Sequence, residues 1–523
     1  MSDFKLTYAT MFNPPEELHN QYDAALQKVK SNLGKEHAML INGQDVFADE
    51  KFSDHSPINT DWTLAVMQKG NEKHAQAAMQ AARSAFPIWS KMPWQKRVEL
   101  LRKAAALIEE RLFELSAAMS LEVGKNRMEA LGDVQETADL IYYSCHQMEK
   151  NDGFIVPMGK DPLVGYESSN ISILRPYGVW LVVSPFNFPF ALSGGPMGAA
   201  LVTGNTVVLK PATDTPWIVR QLTDCFRDAG LPDGVVNFVT GPGRTLGQAL
   251  VESPEVDGVT FTGSYDVGMK MYRDFANGKY IRPTILELGG KNPVIVSRHA
   301  DLERAAIGIV RSAFGLQGQK CSAASRVLVE APVYNDLLPM LKELAEKLVI
   351  GDPTERGTYT GPVINASSYR EFQEFNEELS QAGRFLAGGK VKTGGMYDKG
   401  YFCEPTFAID VPFSHRLWKQ EMFLPITTIG KVDNLEQAMN IANDVDYGLT
   451  AGFYGSDEEI EWFYDKIEAG VTYANRPQGA TTGAWPGYQP FGGWKGSGSS
   501  GKNAGGHYYL PLYMHEQIRN RIK

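Results

Sequence analysis

The chain has 523 residues, of which 43% are hydrophobic and 21% charged, and its formal net charge is −10. This composition is typical of a globular protein of several domains and excludes collagen-like, coiled-coil and disordered chains. The acidic balance argues against nucleic acid as a partner. The four cysteines have no C-x-x-C spacing, so we expect neither a disulfide framework nor a bound metal.

The N-terminal residues carry Asp3 and no apolar run of signal-peptide length, which predicts a cytoplasmic protein. Residues 177–209 contain no charged side chain and are long enough to span a bilayer. Prolines, glycines and asparagines interrupt this segment, however. We therefore interpret it as a strand, a turn, a short helix and a second strand, all buried in a parallel sheet, and expect no contact with a membrane.

The first half of the chain predicts helices followed by alternating strands and helices. Helical spacing of apolar residues predicts amphipathic helices, interpreted as scaffold without a chemical role, over residues 71–89, 94–124 and 127–148. Strands are predicted over residues 178–184, 206–210, 235–239 and 259–262, with helices between them over 215–229 and 245–251. Such alternation predicts βαβ units and a parallel sheet.

A second alternating stretch begins near Pro293, with a strand at 326–329 and a helix at 333–348, so two α/β domains in tandem are expected. Past Gly487 the chain is rich in glycine and ends in an apolar, aromatic segment. That tail is predicted to be either flexible or docked on a partner subunit, and its tyrosines and leucines favour docking.

Three strand ends carry residues that suit a phosphate or ribose. Gly243, in a G-x-G-x-x-x-G pattern, and the turn Gly263-Ser264 each stand between a strand and a helix, where backbone amides can approach a pyrophosphate. Both turns can equally be plain connections, the second with a serine cap. Lys210 ends a third strand, where it is either a ligand for a nucleotide or a solvated lysine.

Cys321 is the strongest candidate for chemistry. Small and polar residues surround it in QGQKCSAASR, and Lys320 beside it is expected to lower the pKa of the thiol. The alternative is an inert packing role, which the sequence predicts for the other three cysteines, Cys145, Cys225 and Cys403. Glu287 precedes two glycines in LELGGK and is either a functional carboxylate or a surface charge.

These segments resemble the aldehyde dehydrogenase family over nearly the entire chain. The matching motifs are SPFNFPF around Asn187, GNTVVLKPA around Lys210, FTGS at 261–264, LELGGKNP at 286–293, GQKCSAASR at 318–326, QEMFLPI at 420–426 and PFGGWKGSG at 490–498. The resemblance implies an α/β fold, with a Rossmann-like parallel-sheet cofactor domain, an α/β catalytic domain and a small β oligomerisation arm. The implied boundaries are 1–157 and 178–290 for the NAD(P)-binding domain, 291–489 for the catalytic domain, and 158–177 with 499–523 for the arm.

The resemblance also implies the catalytic roles. Cys321 would attack an aldehyde, the side-chain amide of Asn187 would hold the oxyanion, and Glu287 would be the general base for hydrolysis of the thioester. NAD is the implied cofactor, with NADP possible because Thr213 replaces the glutamate of strict NAD users. The implied cofactor-binding residues are Ser184, Phe186, Lys210, Thr213, Gly243, Gly263, Ser264, Gly268, Glu421 and Phe423. Leu424 departs from the family by replacing a glycine.

Within the family, Ser322 and the loop around Gly483 and Ala484 resemble the members that oxidise L-glutamate γ-semialdehyde, the open form of 1-pyrroline-5-carboxylate, in proline catabolism. The hydroxyl and the loop amides would hold the substrate's carboxylate, and Phe491 would line the same pocket. Succinate semialdehyde is the alternative substrate. A CoA-acylating relative and a non-catalytic one are disfavoured, because Glu287 and Cys321 are both present. The implied partners are this small molecule and further copies of the chain, in a homodimer or a larger homo-oligomer.

Overall fold

Two seven-stranded sheets form the centre of the fold in the computed structural model, which describes residues 14–477 and 485–522. The strands are β1 Lys35–His37, β2 Met39–Ile41, β3 Gln44–Val46, β4 Lys51–His55, β5 Thr63–Gln68, β6 Ile155–Pro157, β7 Ser168–Pro176, β8 Val179–Val183, β9 Thr206–Lys210, β10 Val236–Phe238, β11 Gly258–Thr262, β12 Thr284–Glu287, β13 Asn292–Val296, β14 Ala324–Glu330, β15 Arg384–Ala387, β16 Thr406–Ile409, β17 Ile426–Val432, β18 Tyr447–Gly448, β19 Thr450–Tyr454, β20 Val471–Ala474, β21 Trp494–Lys495 and β22 Met514–Ile522.

Helices cover the faces of both sheets. The α-helices are α1 Glu16–Lys30, α2 Glu72–Trp89, α3 Trp94–Glu110, α4 Leu112–Val123, α5 Arg127–Lys150, α6 Ala191–Thr203, α7 Pro216–Asp228, α8 Gln248–Glu252, α9 Tyr265–Ala276, α10 Leu302–Phe314, α11 Ala331–Glu346, α12 Ala366–Ala382, α13 Leu435–Asn443 and α14 Asp457–Lys466. Within the described residues, none of these helices has the length and apolarity needed to cross a membrane.

The first sheet has the strand order β12-β11-β8-β9-β10-β2-β3. Its strands β8 to β12 run parallel, and β2 and β3 add an antiparallel edge. Strand β9 is buried at every position, β8 at all but its last, and helix α6 between them is almost entirely buried, which explains why residues 177–209 read as one apolar run. The parallel part of this sheet starts at β8 and is extended first by β9 and β10 on one side and then by β11 and β12 on the other. Ligands bind at such a change of direction, beyond the carboxyl ends of the strands.

The second sheet has the order β15-β16-β17-β14-β13-β19-β20 and is parallel except at β15. It starts with β13, directly after the last strand of the first sheet. Because β14 begins at Ala324, the predicted nucleophile Cys321 stands at the amino end of this sheet. The carboxyl ends of the first sheet's strands therefore face the amino ends of the second sheet's strands. Residues such as Glu287, at the end of β12, and Cys321, before β14, can meet between them.

One predicted helix is two helices in the structure. Residues 94–124 form α3 and α4, and Arg111 between them has φ −95° and ψ 10°. Its guanidinium lies 2.7 Å from the carboxylate of Asp228 at the end of α7. After this break α4 is buried at all of its positions except Phe113 and Glu114, so it runs inside the protein and not along its surface.

The aromatic tail packs against its own chain. Tyr509, Leu510 and Tyr513 are buried, and the ring of Tyr513 lies 4.5 Å from that of Trp180 on β8. These three side chains are therefore covered within one chain and need no partner, whereas docking of the exposed part of the tail on a partner stays a prediction. The strand that follows, β22, pairs antiparallel with β7, and its residues after Met514 are exposed.

Candidate active site

The five parallel strands of the first sheet all end in residues that the sequence singles out. Ser184 follows β8, Lys210 ends β9, the turn at Gly243 comes after β10, Gly263 and Ser264 follow β11, and Glu287 ends β12. The Ser184 N–H donates to the Lys210 carbonyl at 3.2 Å, and the Gly263 N–H donates to the Glu287 carbonyl at 3.1 Å. The fold thus brings the predicted cofactor residues of this sheet to one edge.

Lys210 is a buried cation without a carboxylate partner in the described part of the chain. The side chain is 5% exposed, and its Nζ donates to the carbonyl of Pro211 at 3.1 Å. Burial lowers the pKa of Lys210 to about 8. A Cβ at Gly247 would stand 3.4 Å from Cε of Lys210, so the turn after β10 packs on this side chain. Thr213 is exposed three residues further on.

The turns after β10 and β11 differ in their geometry. The helix predicted over 245–251 begins as a single π-helical turn, Gly243–Gly247, before α8. Ser264 is the N-cap of α9 and its side chain makes no capping hydrogen bond. Glycine is required at 263 and 268, because a Cβ there would come within 2.6 Å of the Phe261 ring or 2.4 Å of Leu288. Because the Ser264 side chain does not cap the amino end of α9, the backbone N–H groups there can donate to an anion.

Of the remaining predicted cofactor residues, Phe186 lies in the turn after β8 of the first sheet, and Glu421 and Phe423 lie just before β17 of the second sheet. The rings of Phe186 and Phe423 make an edge-to-face contact at 5.8 Å. Phe423 has φ +55°, so the left-handed backbone conformation lies at Phe423. Leu424, which replaces the family's glycine, does not have a positive φ. Oε1 of Glu421 accepts a hydrogen bond from the Gly290 N–H at 2.8 Å, and burial raises the pKa of this carboxyl to about 7.

One cleft brings together the predicted reaction residues. Cys321, Glu287, Ser322 and Phe491 all line it, and so does Phe188. Asn187, the predicted oxyanion donor, is not among the lining residues; it adjoins Phe188, is 4% exposed and lies in the turn that follows β8. Gly483 and Ala484, the other predicted substrate residues, lie outside the described residues.

Lys320 does not activate Cys321 as the sequence predicted. Its Nζ forms an ion pair with Glu129 at 2.8 Å, so its charge is committed to a neighbouring helix. Burial raises the pKa of the Cys321 thiol to about 12, and the negative charges of Glu421 and Glu287 act in the same direction. The backbone N–H groups of Cys321 and Ser322 oppose this shift only weakly. The amide of Asn292 holds the loop by donating to the Cys321 carbonyl at 2.6 Å.

Glu287 has a buried carboxyl group, one oxygen of which makes no hydrogen bond to the described residues. The residue is 9% exposed, and Oε2 has no hydrogen-bond partner among the described residues. Burial raises the pKa of this carboxyl well above its ordinary range. A buried polar atom without a partner is costly, and it is typical of a group that meets a water molecule or a substrate.

The model of the aldehyde dehydrogenase family matches residues 46–518, which is most of the chain. The chain belongs to the aldehyde dehydrogenase family. It is 40% identical over 499 residues to the 1-pyrroline-5-carboxylate dehydrogenase of Geobacillus sp. (strain WCH70), with 94% of each protein covered.

Solved structures of related enzymes have the same fold. The 1-pyrroline-5-carboxylate dehydrogenase from Thermus with bound NAD is 34% identical, with a TM-score of 0.93 and coverage of 100% of this chain and 99% of that one. An NADP-dependent enzyme of E. coli is 31% identical, with a TM-score of 0.86 and coverage of 94% and 99%. The predicted fold class, α/β with a Rossmann-like cofactor sheet and a second α/β sheet, is confirmed, and so is the enzyme class.

Two elements of this aldehyde dehydrogenase contribute to the cleft without having been predicted. Helix α5 supplies Glu136, Leu140, Tyr143, Ser144 and Gln147, and the tail supplies Ala504, Gly505, Gly506, Tyr509 and Leu510. The interpretation of α5 as mere scaffold is therefore wrong. The spacing of these α5 residues places them on one helix face, and polar residues on that otherwise apolar face were the available signal.

The other three cysteines of this aldehyde dehydrogenase are buried away from the cleft lining, as predicted. Burial raises the pKa of Cys145 and of Cys225 to about 12. Among residues 14–477 and 485–522, no three His, Cys, Asp or Glu side chains are grouped so that they could hold a metal ion.

Proposed function

We propose that this protein oxidises L-glutamate γ-semialdehyde, the open form of 1-pyrroline-5-carboxylate, to L-glutamate with NAD as the oxidant. In proline catabolism this reaction produces glutamate. The observation that carries the proposal is the cleft that Cys321, Glu287 and Ser322 share. The similarity to 1-pyrroline-5-carboxylate dehydrogenases over 94% of the chain supports the same substrate.

Cys321 is the nucleophile of the proposed reaction. The thiol first gives its proton to water, and the thiolate then attacks the aldehyde carbon, so that a C–S bond forms as the carbonyl π electrons move to oxygen. The resulting oxyanion is stabilised by the Asn187 side-chain amide and the Cys321 backbone N–H. Loss of hydride from the same carbon then produces a thioester on Cys321.

Glu287 is the general base of the second half of the reaction. A water molecule attacks the thioester carbon, Glu287 takes a proton from that water, and the C–S bond breaks to release glutamate and the thiolate. The Oε2 atom suits this role, because it is buried, accepts no hydrogen bond from the described residues and belongs to a residue that lines the cleft.

The residues at the sheet edge fit a dinucleotide. The buried cation of Lys210 suits a ribose or phosphate oxygen, and the uncapped amino end of α9 at Ser264 suits the pyrophosphate. Glu421 and Phe423 suit the nicotinamide ribose and ring. When bound, NAD supplies the electrophilic carbon that accepts the hydride.

Two groups in the cleft distinguish an amino acid aldehyde from a simple one. The Ser322 hydroxyl, together with the backbone amides of Gly483 and Ala484, binds the α-carboxylate. Of the described residues that line the cleft, Glu136 and Glu287 are the acidic ones, and none is basic. Glu136 therefore suits the α-ammonium group, which glutamate semialdehyde has and succinate semialdehyde lacks.

A homodimer or a larger homo-oligomer is part of the proposal. Strand β22 is the edge of the three-stranded sheet β22-β7-β6, and β20 is an edge of the second seven-stranded sheet. Strand edges with free backbone groups pair readily with another chain. A partner strand at either edge satisfies those groups.

The test is a kinetic panel in which glutamate γ-semialdehyde, succinate semialdehyde and propanal are assayed with NAD, with NADP, and with and without CoA. We expect the highest kcat/KM for glutamate semialdehyde and no stimulation by CoA. Glu136→Gln should reduce kcat/KM for glutamate semialdehyde alone, whereas Glu149→Gln, at an exposed ion pair on the same helix, is the control. A higher kcat/KM for succinate semialdehyde contradicts the proposed substrate.

A further inference from the structure

Four charged side chains form two ion pairs beneath the cleft. Nζ of Lys320 lies 2.8 Å from Oε1 of Glu129, and both side chains are mostly buried. Nζ of Lys125 lies 2.7 Å from Oδ2 of Asp133, and both of these are 0% exposed. Glu129 and Asp133 are four residues apart on α5 and so lie on one face of that helix. These four residues are called the α5 ion-pair network below.

One end of the α5 ion-pair network holds the nucleophile loop. Lys320 directly precedes Cys321, and its ammonium crosses Gly315 to reach Glu129. A Cβ at Gly315 would stand 2.8 Å from Nζ of Lys320 and 3.0 Å from Oε1 of Glu129, so the ion pair packs directly against the backbone of Gly315. The position of the Cys321 backbone thus depends on a carboxylate of α5.

The other end holds the turn that carries Asn187. Oδ1 of Asp133 accepts a hydrogen bond at 2.8 Å from the N–H of Ala191, the first residue of α6. The N-cap of α6, Phe190, supplies no side-chain cap, so Asp133 takes over this task from another helix. The Lys125 ammonium lies 3.7 Å from the ring centroid of Phe188, next to Asn187.

A buried ion pair is weak evidence for stability, because the cost of removing two charges from water offsets their attraction. Burial lowers the pKa of Lys125 and raises that of Asp133, which is the sign of this cost. The benefit of the network is geometric. Glu129 is paired with Lys320 in the nucleophile loop, and Asp133 is hydrogen-bonded to Ala191, next to the turn that carries Asn187. The network therefore specifies where the two loops stand relative to α5.

We propose that the α5 ion-pair network is a positioning device that sets the separation of Cys321 from Asn187. The inference rests on the proposed function, in which the new C–S bond and the oxyanion donor must be aligned at once. A displacement of about 1 Å at such a site can cost on the order of 100-fold in rate. The nucleotide-binding residues at the ends of β9 and β11 are not part of the network.

The test uses a second reaction that needs no cofactor. In the hydrolysis of p-nitrophenyl acetate, the Cys321 thiolate attacks the ester carbonyl, the C–O bond to p-nitrophenolate breaks, and water then cleaves the acetyl thioester. Glu129→Gln and Asp133→Asn should each lower kcat about tenfold or more for both ester and aldehyde, with Kd for NAD unchanged. Glu149→Gln on the same helix should leave kcat at the wild-type value.

Destabilisation is separated from mispositioning by two further comparisons. Leu101→Ala removes a fully buried side chain of α3, and should lower Tm while kcat below Tm is retained. Lys320→Arg preserves the pair with Glu129 and should keep kcat within about threefold, whereas Lys320→Gln should lose about tenfold. If Asp133→Asn does not fold, the kcat values of Glu129→Gln, Lys320→Arg and Lys320→Gln are sufficient to test the proposal.

Retention of kcat in Glu129→Gln and Lys320→Gln overturns the inference. So does a loss of rate that Leu101→Ala reproduces at a matched loss of Tm. A failure of the proposed function looks different, because the wild type then hydrolyses the ester but does not oxidise glutamate semialdehyde. The network variants would still differ from the wild type in the ester reaction.

Discussion

Glu421 accepts a hydrogen bond at 2.8 Å from the backbone N–H of Gly290, a residue three positions after the predicted base Glu287. A Cβ at the intervening Gly289 would stand 2.2 Å from Oε2 of Glu421, and one at Gly290 would stand 2.7 Å from the Cys321 carbonyl. The two glycines of LELGGK therefore let the predicted cofactor ligand, the base and the nucleophile loop meet on one short segment. Any larger residue in either place separates them.

Replacing Glu287 with glutamine should affect the second half of the reaction. Because the variant has no carboxylate to accept a proton from water, we expect steady-state turnover to fall by roughly 100-fold or more. A pre-steady-state burst of NADH, one equivalent per active site, should persist. Stopped-flow measurement of NADH gives both values, and a steady-state rate equal to that of the wild type contradicts the role of Glu287.

The same variant should change the pH dependence of stability. Burial raises the pKa of Glu287 above its ordinary value of 4.5, so the folded protein binds this proton more tightly than the unfolded chain. The wild type then loses stability relative to Glu287→Gln as the pH rises above 4.5, until the pH exceeds the folded pKa. The measurement is the Tm of the wild type and of Glu287→Gln, without cofactor, from pH 4.5 to pH 8. If the Tm of both proteins changes equally over this range, the pKa of Glu287 is not raised. We expect a Tm advantage of Glu287→Gln that grows with pH.

Removing the Ser322 hydroxyl should weaken binding of the carboxylate. A hydrogen bond to a charged group contributes about 1.5–3 kcal/mol, so Ser322→Ala should raise KM for glutamate semialdehyde about tenfold or more. Propanal, which has no carboxylate, is the control substrate and should keep its KM. Parallel losses on both aldehydes would place Ser322 outside the carboxylate site.

Thr213 is expected to determine how well NADP is accepted. Its neutral, exposed side chain stands three residues after Lys210, and we predict NAD as the main cofactor with measurable NADP activity. Thr213→Glu should suppress the NADP activity selectively, because a carboxylate there repels the 2′-phosphate. Assays at saturating aldehyde decide this. Absence of NADP turnover in the wild type, or equal loss with both cofactors, would show that Thr213 has no such role.

Local patterns predicted much of this fold. Strands such as β9 and helices such as α5 follow from continuous apolar runs and from helical spacing, because those signals lie within a few neighbouring residues. The break at Arg111 was missed, because the helical spacing of apolar residues continues across it and the contact of Arg111 with Asp228 spans 117 residues of sequence. The tail was predicted to dock on a partner, because no local signal distinguishes burial against Trp180 from burial against another subunit.

In the candidate site, too, local motifs identified some residues, whereas features that depend on contacts distant in sequence were missed. The motifs around Cys321 and Glu287 identified both residues, and the structure places both in one cleft. The environment of the thiol was not predictable, since Lys320 is adjacent in sequence while its ion pair with Glu129 spans 191 positions. Glu136 was missed for a related reason: its contact with the cleft depends on how α5 packs, which sequence spacing does not specify.

The most direct test of the account is to identify the covalent intermediate on Cys321. The Glu287→Gln variant is mixed with NAD and glutamate γ-semialdehyde, quenched in acid, digested and examined by mass spectrometry. The account predicts a glutamyl thioester on the Cys321 peptide, dependent on NAD and absent when Cys321 is also replaced by alanine. NADH formation without any adduct on Cys321, or an adduct on Cys145, Cys225 or Cys403 instead, would contradict it.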